Sequence, residues 1–191
     1  GLEAGKGVIL ALPHLGAWEW AGFWLTEVQG LSVSVVVEQV EPPELADWFA
    51  ELRRRFGMEI IPLDRSAGTR SSAALAANHV LCLLCDRDIA GSGVEVEFLG
   101  ERTTLPGGPA TMALRSGAPL IPTAVYVDDD GHHHAVARPP IDTTRQGKLR
   151  EDVARVTQQL ADELGELIRQ RPEQWHLLQP NWPSDHEEAV G

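Results

Sequence analysis

Apolar residues along this chain gather into short unbroken runs rather than strict alternation. The runs, rich in Val, Ile and Leu, are GVILAL at 7–12, LSVSVVVE at 31–38, MEIIPL at 58–63, HVLCLL at 79–84 and PLIPTAVYV at 119–127. Unbroken runs of this length are what strands covered on both faces look like. Helical spacing fills the intervals, at roughly 16–29, 43–56, 68–78 and 108–116. Pro42 and Pro43 suit a helix start and Gly57 a helix stop. Strand and helix in alternation predict an α/β fold, with a mostly parallel central sheet flanked by helices on both faces.

Three further segments complete the pattern. VEVEFLG at 94–100 alternates and predicts a strand with one solvated face, and VYVDDDGHHHAVA at 125–137 predicts a hairpin turning on an Asp-Gly pair. Over 149–171, Leu149, Val153, Val156, Leu160, Leu164, Leu167 and Ile168 recur every three or four residues, one apolar stripe on a long helix ended by Pro172. The polar tail SDHEEAVG is expected to fray. No internal repeat or low-complexity linker interrupts this order, so residues 1–191 read as a single domain.

Composition narrows the function classes. With 43% apolar residues, the chain can bury one core. No run reaches the ~18 uninterrupted apolar residues of a spanning helix, and the amino end lacks a signal-peptide pattern. The expectation is a soluble body. A formal charge of −12 argues against a nucleic-acid partner, which needs clustered Lys and Arg. Cys82 and Cys85 form a lone CxxC with no second pair to complete a zinc site, and are expected to be buried, reduced thiols. His132, His133 and His134 are expected to be exposed turn residues rather than metal ligands.

Candidate chemistry collects where strands end. The first strand runs into Pro13 and His14, and ligands of open parallel sheets bind beyond the carboxyl ends of strands. Glu19 follows five residues later. If Gly16 marks the turn into the helix, His14 lies outside it and Glu19 in its first turns, where the two can converge. A carboxylate on one imidazole nitrogen would fix the tautomer and leave the other to take a proton from a hydroxyl. The alternative is structural: His14 caps the helix and Glu19 suits its positive end.

Trp18, Trp20, Phe23, Trp24 and Leu25 make the following helix apolar nearly all round, so it is sandwiched in the core or lines an apolar groove. CDRD places Asp86, Arg87 and Asp88 past another strand end, to orient a polar substrate, to bind Mg²⁺ through oxygen ligands, or as an internal ion-pair network. RRRF at 53–56 closes a helix, where cations complement the dipole or one arginine binds an anion. TTLPGGPATMAL at 103–114 reads as a loop into a helix amino end, a place for an anion or oxyanion.

Taken together, LALPHLGAWEWAG, RRRFGMEIIPLDR, LLCDRDIAGSGVEVEFLGERTTLPGGPATMALRSGAPLIPTAVY and RPEQWHLLQPNW resemble the bacterial lysophospholipid and lipid A acyltransferase family, most closely its actinobacterial phosphatidylinositol mannoside branch. The resemblance spans nearly the whole chain. It implies transfer of a fatty acyl group from acyl-CoA or acyl carrier protein to a hydroxyl of a membrane glycolipid, without cofactor or metal. His14 and Glu19 stand at the family's His-x4-Asp/Glu motif, implying His14 as general base and Glu19 as its orienting carboxylate. Glu38, Arg53 and one of Asp86 or Asp88 stand at functional positions near the base or the acceptor's polar head. Ala17 stands where many relatives carry Asn, and Glu19 where the mannoside branch usually has Asp. The resemblance also implies a further amino-terminal segment in relatives that meets the membrane, hence a truncated chain and peripheral placement on the cytoplasmic face. A non-catalytic acyl- or lipid-binding module and a thioester hydrolase are the alternative readings.

Overall fold

In the computed structural model, which describes residues 1–38 and 41–187, eight strands and six helices follow one another in the order the apolar runs imply. They are β1 (Val8–Leu12), α1 (Trp18–Glu27), β2 (Val33–Val37), α2 (Pro43–Arg55), β3 (Glu59–Pro62), α3 (Ala67–Ala76), β4 (Val80–Leu84), β5 (Val94–Phe98), β6 (Glu101–Leu105), α4 (Gly108–Ser116), β7 (Leu120–Val127), β8 (His133–Ala137), α5 (Leu149–Gln170) and the short α6 (Ser184–Glu187). Six strands form one sheet in the order β3-β2-β4-β1-β7-β8. All neighbours are parallel except β7 and β8, the expected hairpin. The fold is therefore α/β with a mostly parallel sheet.

Both sheet faces are covered, which is why the strands carry unbroken apolar runs. On one face Val8, Leu12, Val35, Val80 and Cys82 meet α1. On the other, Ile9, Ala11, Leu81 and Leu83 meet α3, α4 and α5. The α5 stripe is buried from Val156 through Ile168, and Tyr126 Oη of β7 donates to the Leu167 carbonyl at 2.7 Å. Cys82 and Cys85 are free, buried and in opposite cores. Burial pushes the Cys82 thiol up to about 12 and that of Cys85 higher still.

Two expectations change and one gains detail. Residues 103–105 are strand, not loop: β6 pairs with β5 in an antiparallel ribbon across a two-residue turn, Leu99-Gly100, both at positive φ. The histidines near the β7–β8 turn have carboxylate partners, His132 on Asp130 at 2.9 Å and His134 on Asp128 at 3.0 Å. The helix α1 is neither sandwiched nor wholly a groove lining. It is too apolar for one sheet face to cover, and Trp20, Trp24 and Val28 stay more than half exposed. Of the tail, residues 184–187 form α6 and 188–191 lie outside the described residues. Among the described residues, no helix is long and apolar enough to cross a membrane.

Candidate active site

The pairing of β1 with β4 sets the site. Leu12 lies opposite Leu84 at the carboxyl ends of these parallel strands, and two residues further on stand His14 and Asp86. Asp86 is fully buried and engages His14 twice: Oδ2 accepts the His14 backbone N–H at 2.8 Å, and Oδ1 meets ring Nδ1 at 2.7 Å. The Trp175 indole N–H donates to Oδ2 at 2.8 Å. Burial pushes the Asp86 carboxyl up, but these three hydrogen bonds and the positive charge available on His14 outweigh it and hold the group below the ordinary carboxylate range. Asp86 thus stays ionised, a fixed acceptor that places the ring proton on Nδ1. The opposite nitrogen, Nε2, has no hydrogen-bond partner among the described residues.

The backbone around His14 is pinned as firmly as its ring. Its carbonyl accepts the His176 N–H at 2.7 Å, and Gly16 N–H donates to the Gln174 carbonyl at 2.9 Å. Gly16 has φ 58°, and a Cβ there would lie 2.0 Å from the Val125 carbonyl oxygen. Only glycine fits a positive φ this close to a neighbouring strand. The turn does fall at Gly16, with His14 outside α1 and Glu19 in its first turn.

Glu19 nonetheless bonds elsewhere. Its Oε1 accepts from Arg53 Nη2 at 2.5 Å, and no hydrogen bond or ion pair joins it to His14. The orienting position expected of Glu19 is occupied by Asp86. Arg53 also stacks 5.3 Å from the rings of Trp18 and Phe49, so α1 and α2 are joined through one guanidinium. Glu38 forms an ion pair with Arg87. Asp88 is tied to its own loop and to β6: it accepts from the Gly93 N–H at 2.6 Å and from Thr104 Oγ1 at 2.9 Å. Of the two aspartates, only Asp86 meets the histidine.

Two clefts converge on His14. The first, about 450 Å³, is walled by Trp18, Glu19, Glu38, Arg53 and Arg87. The second, about 270 Å³, is chiefly apolar, walled by Val36, Leu63, Leu83, Ile89, Pro109 and Met112. His14, Val36, Glu38, Leu84 and Arg87 belong to both. One compartment of mixed lining that carries charged side chains and one greasy compartment therefore share a wall that carries an imidazole. Arg53 Nε and Arg87 Nε are buried without a partner among the described residues, so both guanidiniums keep donor capacity at this wall. Among the described residues, no group of three or more His, Cys, Asp and Glu side chains could hold a metal.

Trp175 and Arg87 complete the set beyond the residues singled out as site candidates. Arg87 stood within the charged CDRD cluster, whereas a tryptophan 89 residues from Asp86 gives no local signal of that contact.

Comparison with known proteins extends these observations. The model of the family described as bacterial lipid A biosynthesis acyltransferase matches residues 1–184. The chain is 40% identical over 193 residues to phosphatidylinositol mannoside acyltransferase of Mycobacterium tuberculosis, covering 98% of this chain and 58% of that protein. It is 39% identical over 187 residues to the protein of the same name from Mycolicibacterium smegmatis, covering 96% and 59%. The chain thus spans less than two thirds of the length of these curated relatives.

Proposed function

Because the chain belongs to the bacterial lipid A biosynthesis acyltransferase family, we propose that it transfers a fatty acyl group from a thioester donor, acyl-CoA or acyl carrier protein, to a hydroxyl of a membrane glycolipid such as a phosphatidylinositol mannoside. The observation that carries this reading is the placement of His14 where a cleft carrying charged side chains and an apolar cleft meet, with Nδ1 held by an ionised carboxylate.

The acyl chain occupies the apolar cleft and the acceptor's sugar the one with charged side chains, where Glu19, Glu38 and Arg53 offer acceptors and donors to hydroxyls. His14 Nε2 takes the proton of the acceptor hydroxyl as its oxygen attacks the thioester carbonyl. Asp86, rather than Glu19, fixes the tautomer and stabilises the imidazolium. Arg87 and Arg53 supply positive field at the wall where the tetrahedral oxyanion develops. Collapse breaks the C–S bond, and the proton held on His14 passes to the departing sulfur. The new ester and the free thiol leave with no covalent enzyme intermediate.

The surface works against a membrane rather than within it, as a peripheral protein on the cytoplasmic face, drawing its acceptor from the lipid. The test is transfer from radiolabelled palmitoyl-CoA to a mannosylated phosphatidylinositol. His14→Ala should abolish product. Full transfer by that variant would overturn the mechanism, thioester loss without acceptor would identify a hydrolase, and binding without turnover a non-catalytic module.

A further inference from the structure

A second groove opens on the outer side of α3 and α4, about 580 Å³, walled by Arg65, Thr69, Ser72, Thr111 and Arg115. Gly68, Gly108 and Met112 line both this groove and the apolar cleft that begins at His14. The linings of the two spaces therefore meet at these three residues, with a glycine from the first turn of α3 and a glycine from the first turn of α4 among them.

Neither glycine is required by its backbone. Gly68 and Gly108 lack a positive φ, and a Cβ built on either meets no heavy atom within 4 Å. Gly16 differs: a Cβ there would collide with the Val125 backbone, so packing demands the glycine. In a helix glycine costs stability relative to alanine, which would fit here without strain. Both glycines are exposed, and what they provide is open space where the linings of the apolar cleft and the outer groove meet.

We propose that Gly68 and Gly108 form a passage between α3 and α4 through which the tail of a long acyl chain leaves the apolar cleft, so that this pair sets the chain length the protein accepts. The inference rests on the acyl-thioester reading given above. A chain whose carbonyl lies at His14 runs along Val36 and Leu83 toward Met112. Chains short enough to end before Met112 stay wholly in the apolar cleft. Longer ones thread between the glycines into the outer groove, where Leu75 and Met112 still offer apolar surface among the hydroxyls. Each methylene buried on the way adds about fourfold in affinity. Side chains at 68 or 108 would stop the tail and cancel that gain for long chains alone.

The test compares palmitoyl-CoA with octanoyl-CoA, in equilibrium binding and in transfer, for the 191-residue protein and its Gly68→Leu and Gly108→Leu variants. The ratio of palmitoyl to octanoyl affinity should fall tenfold or more in each variant. A ratio within twofold of wild type, or a wild-type protein that does not favour palmitoyl, overturns the passage. If a leucine variant fails to fold, the Gly68→Ala/Gly108→Ala double variant serves, because its two methyl groups enter open space; it should lower the ratio by at least threefold, and no change sinks the proposal. Binding separates this idea from the catalytic one. His14→Ala should lose transfer yet keep the wild-type ratio. A ratio that shifts as expected in a protein that never transfers would uphold the passage and overturn the acyltransferase reading.

Discussion

The Asp86 carboxylate holds both the ring and the backbone of His14, at 2.7 and 2.8 Å, across 72 residues of chain. Replacing it by Asn should therefore do more than remove a charge. The amide NH2 would face Nδ1 and favour the tautomer with its proton on Nε2, the nitrogen proposed as the base. Asp86→Asn is expected to lower kcat by about 10²–10⁴-fold with KM nearly unchanged, the usual contribution of a positioned general base. Steady-state kinetics with palmitoyl-CoA check this, and a kcat within threefold of wild type would remove Asp86 from the mechanism.

Acid should unfold this protein through two buried aspartates. Asp86 is one. Asp152, in the first turn of α5, is the other: burial raises its carboxyl, but Arg145 Nε at 2.7 Å and the Gln146 and Gly147 N–H groups outweigh that and lower it. Both therefore lie below the unfolded value of about 3.9. Groups shifted this way add stability that is fully present above the unfolded pKa and is lost as pH falls through the folded one. Urea midpoints should be flat above pH about 5 and drop below about 4. In Asp152→Asn the drop should be smaller, and an equally steep one would dismiss its role.

Glu19 and Arg53 should be coupled to each other and not to the dyad. Arg53 is mostly buried, while Glu19 is about one third exposed, which screens the pair. A double-mutant cycle with Glu19→Gln and Arg53→Met should give about 0.5–1 kcal/mol of coupling in urea unfolding. In kinetics, Glu19→Gln should raise KM for the acceptor more than it lowers kcat. A kcat loss matching that of Asp86→Asn would instead return Glu19 to the orienting role.

Gly16→Ala joins backbone strain to a collision with Val125. It is expected to cost at least about 2 kcal/mol of stability, read as a lowered Tm. Activity should suffer further in the surviving folded fraction, because His14 is two residues away. An unchanged Tm would mean the turn is not held as described.

Cys82 and Cys85 should resist alkylation in the native protein at pH 8, since burial keeps both thiols protonated. Mass spectrometry should find neither labelled by iodoacetamide until urea unfolds the chain, and rapid native labelling of either would contradict its burial.

Most of the scaffold could be read in advance because its strands are covered on both faces and say so in composition. ERTTL at 101–105 could not, since its only buried residue is Leu105 and its strand character comes from pairing with VEVEF. The site divides along the same line. His14 and Asp86 each stood out at a strand end, but their meeting depends on β1 lying beside β4 in one register. Local spacing offered Glu19 instead, five residues away, and a helix turn does bring it to the same cleft. What spacing could not supply was Arg53, whose guanidinium claims that carboxylate from another helix.

The segment just past α5 has a consequence for the order of synthesis. Gln174, Trp175 and His176 bind Gly16, Asp86 and His14, and Asn181 Nδ2 donates to the Asp86 carbonyl. A nascent chain that has already paired β1 with β4 still lacks all four restraints. The imidazole and its carboxylate are thus brought together by β1 and β4 but fastened by residues 174–181, so cutting the chain before Gln174 would leave the pair adjacent in the sheet and stripped of all four restraints.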